Sequence, residues 1–305
     1  MVDRTMSGII PILATPFDEK GQIDFEDLER EVEWMVDVGV SGVGIAVASE
    51  IYKLTDTERD EVLASVVKQA DGRIPVVMNT GAMGTDVTIH YSKRAEELGA
   101  NALMIRPPTF VALPAGEVIE FFARVAASVT LPIFQQDQAT AQVTPSMAVE
   151  IAGRHENLCY IKVETAPTVP RMAETAAQRD AATGTGRDLI LFGGAGGSFL
   201  FEEVRRGSVG SMPGSTIPDV FVDLWDRWHD GDEEGAESEF RRYGALLRTL
   251  KQPHGLDNWI YKEILVRRGI FKTAQARHPA LKPDRSQIYE IEQMLDELGI
   301  GEPDA

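Results

Sequence analysis

A lysine and a glutamate two residues apart lie at the end of an apolar segment in the middle of the chain. Residues 158–163 are apolar except for Lys162, and Glu164 follows directly. In an extended segment, residues two apart share a face, so the amine and the carboxylate are expected on one side of a strand. Desolvation on that side would lower a lysine pKa towards neutrality, as an amine nucleophile requires. A lysine that reaches solvent, or simply pairs with Glu164, would give the same pattern.

A second polar group closes the preceding apolar segment, where Phe134 is followed by Gln135, Gln136 and Asp137. Amide side chains both donate and accept hydrogen bonds, so a cluster of them suits a hydroxylated substrate. A polar loop that caps the next helix is an equally good interpretation of this stretch.

A third candidate lies near residue 46, where small residues precede a hydroxyl and a carboxylate. Ala46, Val47 and Ala48 leave room for a ligand and expose backbone N–H donors, and Ser49 adds a hydroxyl. For Glu50 we favour a buried structural carboxylate that accepts backbone hydrogen bonds.

The glycine-rich stretch 193–197 and the histidines do not indicate a cofactor. Gly193-Gly194-Ala195-Gly196-Gly197 lacks the lysine of a phosphate-binding loop and the context of a dinucleotide site, so a tight turn is expected. Histidines and the single cysteine form no cluster, and we therefore expect no metal, no organic cofactor and no histidine-based triad. The histidines are His90, His155, His229, His254 and His278.

The composition restricts the partners and the compartment. The 305 residues carry a formal charge of -18, which disfavours binding to nucleic acid or to an anionic membrane. Cys159 is the one cysteine, so no disulfide can form within the chain, and a reducing cytoplasm is expected. Neither a signal peptide nor an apolar segment of membrane-spanning length is visible.

The elements that must position these residues alternate along the chain. Eight short apolar segments without clean alternation resemble strands buried on both faces, and each is followed by an amphipathic helical pattern. This order predicts an α/β fold, a (β/α)8 TIM barrel, with a doubly wound sheet as the alternative. The predicted strands are residues 9–14, 42–48, 74–79, 102–105, 131–136, 158–163, 189–192 and 208–212.

Helical patterns continue after the eighth predicted strand, over residues 219–230, 235–251, 256–267 and 286–298. They exceed what a barrel needs, and we therefore predict a barrel over residues 1–230 and a C-terminal helical extension over residues 231–305.

Several motifs in this order resemble the dihydrodipicolinate synthase / N-acetylneuraminate lyase superfamily, from about Gly8 to the helical tail. The resemblance implies a (β/α)8 barrel with C-terminal helices, a homotetramer built as a dimer of dimers, and a Schiff base on Lys162. The motifs are Gly8-Ile9-Ile10-Pro11, Ala14-Thr15-Pro16-Phe17, Gly21-Gln22-Ile23-Asp24, Ser49-Glu50, Leu54-Thr55, Glu58-Arg59 and Ile161-Lys162.

Three departures from the superfamily pattern remove its hydroxyl groups. The usual Gly-Thr-Thr-Gly-Glu of strand two is Ala46-Val47-Ala48-Ser49-Glu50, although the Val47 and Ala48 amides could still hold a substrate carboxylate. Gln136 stands where a proton-shuttling tyrosine is usual, and Pro108-Thr109-Phe110 replaces a tyrosine pair. An amide cannot act as an acid–base catalyst, so Glu164 is the best placed group to move protons.

This combination is similar to the branch that contains L-2-keto-3-deoxyarabonate dehydratase. It implies a hydro-lyase acting on a 2-keto-3-deoxy sugar acid, giving 2,5-dioxopentanoate and water from the arabonate derivative. A pyruvate-type aldolase and a non-catalytic keto-acid-binding barrel are the alternatives. The expected catalytic residues are Lys162, Glu164 and Gln136, and the expected substrate-binding residues are Val47, Ala48, Ser49, Gln135 and Met212, with Glu50 structural.

Overall fold

A computed structural model describes residues 4–184, 188–251 and 256–301. His254 and residues 302–305 of the predicted C-terminal extension lie outside the described residues.

Eight parallel strands form one sheet, in the order β1-β8-β7-β6-β5-β4-β3-β2. Their segments are buried along almost their whole length, which fits strands covered on both faces. The strands are Gly8–Ile9 (β1), Val43–Ile45 (β2), Val76–Asn79 (β3), Ala102–Ile105 (β4), Ile133–Asp137 (β5), Tyr160–Val163 (β6), Ile190–Gly193 (β7) and Ser208–Ser211 (β8).

The strand order closes on itself next to β1. Gly8 and Ile9 pair with β8, and Ile12, three residues on, bridges in parallel to both Gly44 and Gly214. A doubly wound sheet would leave two open edges. The fold is therefore the predicted (β/α)8 barrel, and the doubly wound alternative is wrong.

Two predicted strands were too long. The first ends at Ile9 because Pro11 has no N–H to donate to a neighbouring strand, and only the single bridge at Ile12 follows. The second ends at Ile45, since the chain turns at Ala46 into a 3-10 turn over Val47–Ser49. The six other predicted strands match the observed ones to within two residues.

Helices follow the strands as predicted, and side chains cap the N-termini of several of them. Asp24 accepts the N–H groups of Glu26 and Asp27, and Thr55 forms a capping box with Glu58. The helices are Phe25–Val38 (α1), Asp56–Ala70 (α2), Thr85–Glu97 (α3), Ala115–Ala126 (α4), Pro145–Ala152 (α5), Thr168–Ala181 (α6), Leu200–Val204 (α7), Pro218–His229 (α8), Glu233–Arg242 (α9), Gly244–Leu250 (α10), Leu256–Arg267 (α11) and Arg285–Leu298 (α12).

One predicted helix, over residues 235–251, is two. Tyr243 separates α9 from α10, and the glycine that follows it is a weak helix former. None of the described helices combines the length and the apolar character needed to cross a membrane.

The chain divides into two compact units, the described parts of Met1–Ile10 with Pro75–Met212 and of Pro11–Ile74 with Pro213–Ala305. In the first unit, Phe134 stacks on Tyr160 with ring centroids 4.4 Å apart, and both meet Phe192 edge-on. In the second, Leu265 and Phe271 pack with Ala14 and Ile270. The predicted boundary at residue 230 stays a prediction.

Candidate active site

Lys162 lies within β6, inside the first unit. Its Cα pairs with Gln136 on β5 and with Phe192 on β7, and its side chain is 4% exposed. Tyr160, two residues earlier on the same face, belongs to the aromatic cluster described above. The amine therefore projects from a layer of packed rings, where little water reaches it.

Glu164 is the ion-pair partner of Lys162. Its Oε1 lies 3.1 Å from Lys162 Nζ, and its side chain is 16% exposed. The prediction that these two residues share one face is confirmed. The backbone N–H of Glu164 donates to the Asp137 carbonyl at 3.0 Å, and this hydrogen bond fixes the chain as it leaves β6.

Gln136 connects this pair to a residue on β3. Its Nε2 donates to Glu164 Oε2 at 3.0 Å, and its Oε1 accepts from Asn79 Nδ2 at 3.0 Å. These two bonds fix which end of the amide faces the carboxylate. Lys162, Glu164, Gln136 and Asn79 thus form one chain of hydrogen bonds, named here the amine cluster, across the ends of β6, β5 and β3.

Gly194 makes room for the Glu164 carboxylate. A Cβ built on this glycine would lie 2.4 Å from Glu164 Cγ and 2.8 Å from Oε1. The position therefore requires space for this carboxylate. Any larger residue here would displace Glu164.

Gln135 faces away from the amine cluster. It is fully buried, and its Nε2 donates to the Ala148 carbonyl of α5 at 3.2 Å. Neighbouring strand residues alternate between faces, so Gln135 and Gln136 cannot both point inwards. This position does not support the substrate-binding role predicted for Gln135.

Asp137 is engaged in structure. Its carboxylate accepts two hydrogen bonds from the Arg171 guanidinium, one from the Thr165 hydroxyl and one from the Val143 N–H. These bonds tie the end of β5 to α6 and to the segment before α5. The ion pair therefore anchors the chain from which Gln136 and Glu164 project.

The turn Val47–Ser49 belongs to the second unit. The Ser49 hydroxyl donates to the Leu13 carbonyl and accepts the Ala46 N–H, so it is committed to holding the turn. The first N–H groups of a helical turn have no acceptor within it, which fits carboxylate binding by Val47 and Ala48. That role stays a prediction, and the geometry of Ser49 favours a structural role.

Glu50 follows this turn and is fully buried. Its carboxylate accepts from Lys53 Nζ at 2.7 Å, from the Arg277 N–H at 3.2 Å and from Lys262 Nζ. Lys262 also donates to the Gln275 carbonyl, and burial lowers the pKa of its amine to about 8. These contacts fit the structural role favoured for Glu50. They form a second cluster around a buried lysine, named here the Glu50 cluster.

The remaining candidates lie at other strand ends. Met212 is buried just past β8, and its N–H donates to the Gly193 carbonyl at 3.1 Å. Phe110, which replaces a family tyrosine, is 86% exposed. Residues 193–197 form the predicted tight turn, with Gly196 and Gly197 at φ of 66° and 76°. No group of three metal-ligating side chains occurs within the described ranges.

Sequence reasoning missed Asn79 and Lys262. Asn79 carried a usable signal, since it is the one polar residue that closes the apolar segment of the third strand, as Lys162 does in the sixth. Lys262 carried none, because a lysine in a helical pattern is ordinarily exposed.

Comparison with known proteins identifies the family. The family model of the dihydrodipicolinate synthetase family matches residues 5–298. L-2-keto-3-deoxyarabonate dehydratase of Azospirillum brasilense is 30% identical over 95% of each chain, and the putative 2-dehydro-3-deoxy-D-gluconate aldolase YagE of Escherichia coli K12 is 26% identical over 96% of this chain and 97% of its own. The crystal structure of E. coli YagE with pyruvate superposes with a TM-score of 0.89, at 24% identity over 97% of this chain and 99% of its own. The chain belongs to the dihydrodipicolinate synthetase family.

Proposed function

We propose that the protein is a hydro-lyase that forms a Schiff base between Lys162 and the ketone of a 2-keto-3-deoxy sugar acid. Members of its family are lyases, and the chain is an enzyme of that class. The observation that carries the finer proposal is the Glu164 carboxylate. It lies 3.1 Å from the Lys162 amine and is held by an amide, where the family pattern has a phenol.

The first step is loss of a proton from the lysine. Glu164 accepts a proton from the ammonium, and the neutral amine attacks C2 of the substrate. Glu164 then returns that proton to the departing oxygen, so that water leaves and a cationic iminium remains beside an anionic carboxylate. Protons and charge therefore balance within the Lys162–Glu164 ion pair.

Dehydration follows on the same pair. The iminium draws electrons from the C3–H bond, and Glu164 takes that proton to give a neutral enamine. The enamine expels the C4 hydroxyl, which takes the proton from Glu164 and leaves as water. In the conjugated iminium, a C5–H proton and the C5 hydroxyl proton are then replaced by protons at C3 and C4, and this tautomerisation gives the aldehyde. Hydrolysis of the resulting iminium releases the dioxo acid and regenerates the lysine. Gln136, which donates to the carboxylate, would keep Glu164 aimed at C3 and orient the substrate hydroxyls.

Product analysis tests the reaction. The protein would be incubated with L-2-keto-3-deoxyarabonate and related 2-keto-3-deoxy acids, and the products identified by mass. We expect loss of water, giving 2,5-dioxopentanoate from the arabonate derivative. Free pyruvate would instead identify an aldolase, which the 26% identity to a putative aldolase keeps as the second candidate.

Borohydride trapping tests the residues. Reduction in the presence of substrate should fix the adduct mass on Lys162, and an adduct on another lysine would remove the assignment. Glu164→Gln should still form the adduct but lose nearly all dehydration, whereas Glu174→Gln on the exposed face of α6 should behave as wild type. Full turnover of Glu164→Gln would exclude Glu164 as the base, and failure of any keto acid to label the protein would favour a non-catalytic barrel.

We further propose that the enzyme is a cytoplasmic homotetramer, arranged as a dimer of dimers, that acts on small keto acids. The superfamily resemblance supports the assembly, and the acidic composition with one cysteine supports the compartment. Light scattering on the purified protein tests the assembly, and a mass of one or two chains would contradict it.

A further inference from the structure

Arg106 lies directly after β4, at the strand end next to the amine cluster. Met104 on β4 pairs with Phe134 on β5. Two residues further along the chain from each of them lie Arg106 and Gln136. Arg106 precedes a proline, which favours an extended backbone and so continues the alternation of the strand. Arg106 and Gln136 therefore occupy equivalent positions on the same face of neighbouring strands.

The stem of this arginine passes over a glycine on the β3 side. A Cβ built on Gly81 would lie 2.9 Å from the Arg106 backbone nitrogen and 3.2 Å from its Cγ. Gly81 is two residues beyond Asn79, whose side chain reaches Gln136. The fold thus leaves space for the arginine stem beside the Asn79–Gln136 hydrogen bond.

The guanidinium of Arg106 is half-buried and has no carboxylate partner among the described residues. Burial alone lowers its pKa from the ordinary value, since no opposing charge compensates the loss of water. Arg171 and Arg277, which are also partly buried, are held by the carboxylates of Asp137 and Glu58. A partly desolvated cation at the mouth of a barrel is a binding site for an anion.

We propose that Arg106 binds an acid group of the substrate, a carboxylate or phosphate at the end of the carbon chain far from the ketone. This inference rests on the proposed Schiff base at Lys162. Lys162 and Gln136 lie on β6 and β5, and Arg106 directly follows β4. Neighbouring strands in a sheet are spaced about 4.8 Å apart. A sugar acid bonded through C2 to Lys162 would pass its hydroxyls over Gln136 and end at Arg106.

Distance from Lys162 explains why Arg106 would bind the far end of the substrate and not its C1 carboxylate. The C1 carboxylate stays within one bond of C2 and hence close to Lys162 Nζ, whereas Arg106 starts two strands away. L-2-keto-3-deoxyarabonate ends in an uncharged hydroxyl, so an analogue that ends in a second carboxylate should be the better substrate.

Borohydride trapping with three simple keto acids tests the contact between Arg106 and the far acid group of the substrate. Pyruvate has only the C1 carboxylate, 2-oxobutanoate adds an uncharged carbon, and 2-oxoglutarate adds a second carboxylate. For Arg106→Gln we expect the 2-oxoglutarate concentration at half-maximal labelling to rise about tenfold or more, the size of one charge-assisted contact. Labelling by pyruvate and 2-oxobutanoate should stay within about twofold, because neither reaches Arg106.

Two controls separate the outcomes. Arg241→Gln removes an equal charge from the exposed face of α9 and should change none of the three values. An equal loss for all three acids would place the contact at C1, and no loss for 2-oxoglutarate would remove it, so either result overturns the inference. If no acid labels wild-type Lys162, the Schiff base is wrong, and calorimetric binding of 2-oxoglutarate to wild type and Arg106→Gln still decides the role of Arg106.

Discussion

The amine cluster and the Glu50 cluster each contain a buried lysine paired with a glutamate. They differ in how many of the polar groups of that pair have hydrogen-bond or ionic partners. In the Glu50 cluster, Glu50 accepts from Lys53, Lys262 and the Arg277 N–H, and Lys262 also donates to Gln275 and lies 4.3 Å from the Phe17 ring centroid. In the amine cluster, Lys162 makes one ion pair with the part of the chain that the structure describes, the pair with Glu164.

The difference shows that burial does not by itself make a lysine reactive. An amine whose three donors are occupied by a carboxylate, a carbonyl and a ring face has no position left for a ketone. Lys162 retains that position, and its carboxylate partner keeps some contact with solvent. The saturated cluster serves stability and the unsaturated one is available for chemistry.

Substituting methionine for each of the two lysines should separate the catalytic role from the stabilising one. These substitutions should have the largest effects on turnover and on stability. Lys162→Met should lose turnover and borohydride labelling altogether while keeping a wild-type unfolding transition, because it removes the nucleophile. Lys262→Met should keep the labelling site but lose about 3 kcal/mol or more of stability, since it leaves Glu50 short of a buried partner. Urea unfolding and labelling of both variants check this, and a strongly destabilised Lys162→Met would contradict the distinction.

The free energy of unfolding, measured against pH, should show how a buried carboxylate of the second unit affects stability. Glu31 is fully buried, and burial raises the pKa of its carboxyl to about 8, against the hydrogen bond from the Ala14 N–H and the charge of Lys262. The folded state therefore binds the proton more tightly than the unfolded state, whose pKa is near 4.5. The stability contribution is complete below pH 4.5 and is lost as the pH rises to about 8.

Glu31→Gln should flatten this dependence, because an amide does not titrate. Between pH 5 and 8 we expect wild type to lose a few kcal/mol more than the variant, measured by urea unfolding at fixed ionic strength. Glu61→Gln, on the exposed face of α2, should retain the wild-type slope. Parallel curves for wild type and Glu31→Gln would show that Glu31 does not change its protonation on unfolding.

Gly194→Ala should damage the amine cluster although none of the cluster's own residues is substituted. The added Cβ would lie 2.4 Å from Glu164 Cγ, so the carboxylate must shift. A displacement of about 1 Å at a catalytic group costs on the order of a hundredfold in rate, whereas the Lys162 adduct should still form. Gly84→Ala is the matched control, because a Cβ there meets nothing within 4 Å. Equal turnover of both variants would mean that the position of Glu164 does not limit the reaction.

Sequence reasoning was most reliable where one element decides the outcome. The alternation of apolar and helical patterns predicted the barrel, and the spacing of Lys162 and Glu164 predicted their common face. It was least reliable where distant segments decide. Gln135 and Gln136 are the same residue type at adjacent positions of one strand. Only the register of β5 against β4 and β6 tells which of them shares a face with Lys162. Lys262 and Glu50 are 212 residues apart, so their pairing depends on the tertiary fold.

Asn79→Ala should have the smallest effect and tests how far the amine cluster extends. Asn79 holds the Gln136 amide from the β3 side, and two hydrogen bonds and one ion pair separate it from Lys162. Its removal would leave Gln136 free to rotate and weaken its hold on Glu164, so kcat should fall about three- to tenfold, the size of one neutral hydrogen bond. Labelling of Lys162 should be unchanged, because the amine and the ketone do not touch Asn79. A positioning role further predicts that Asn79→Asp, which cannot donate through its carboxylate to Gln136 Oε1, loses at least as much, whereas a merely space-filling role would spare it.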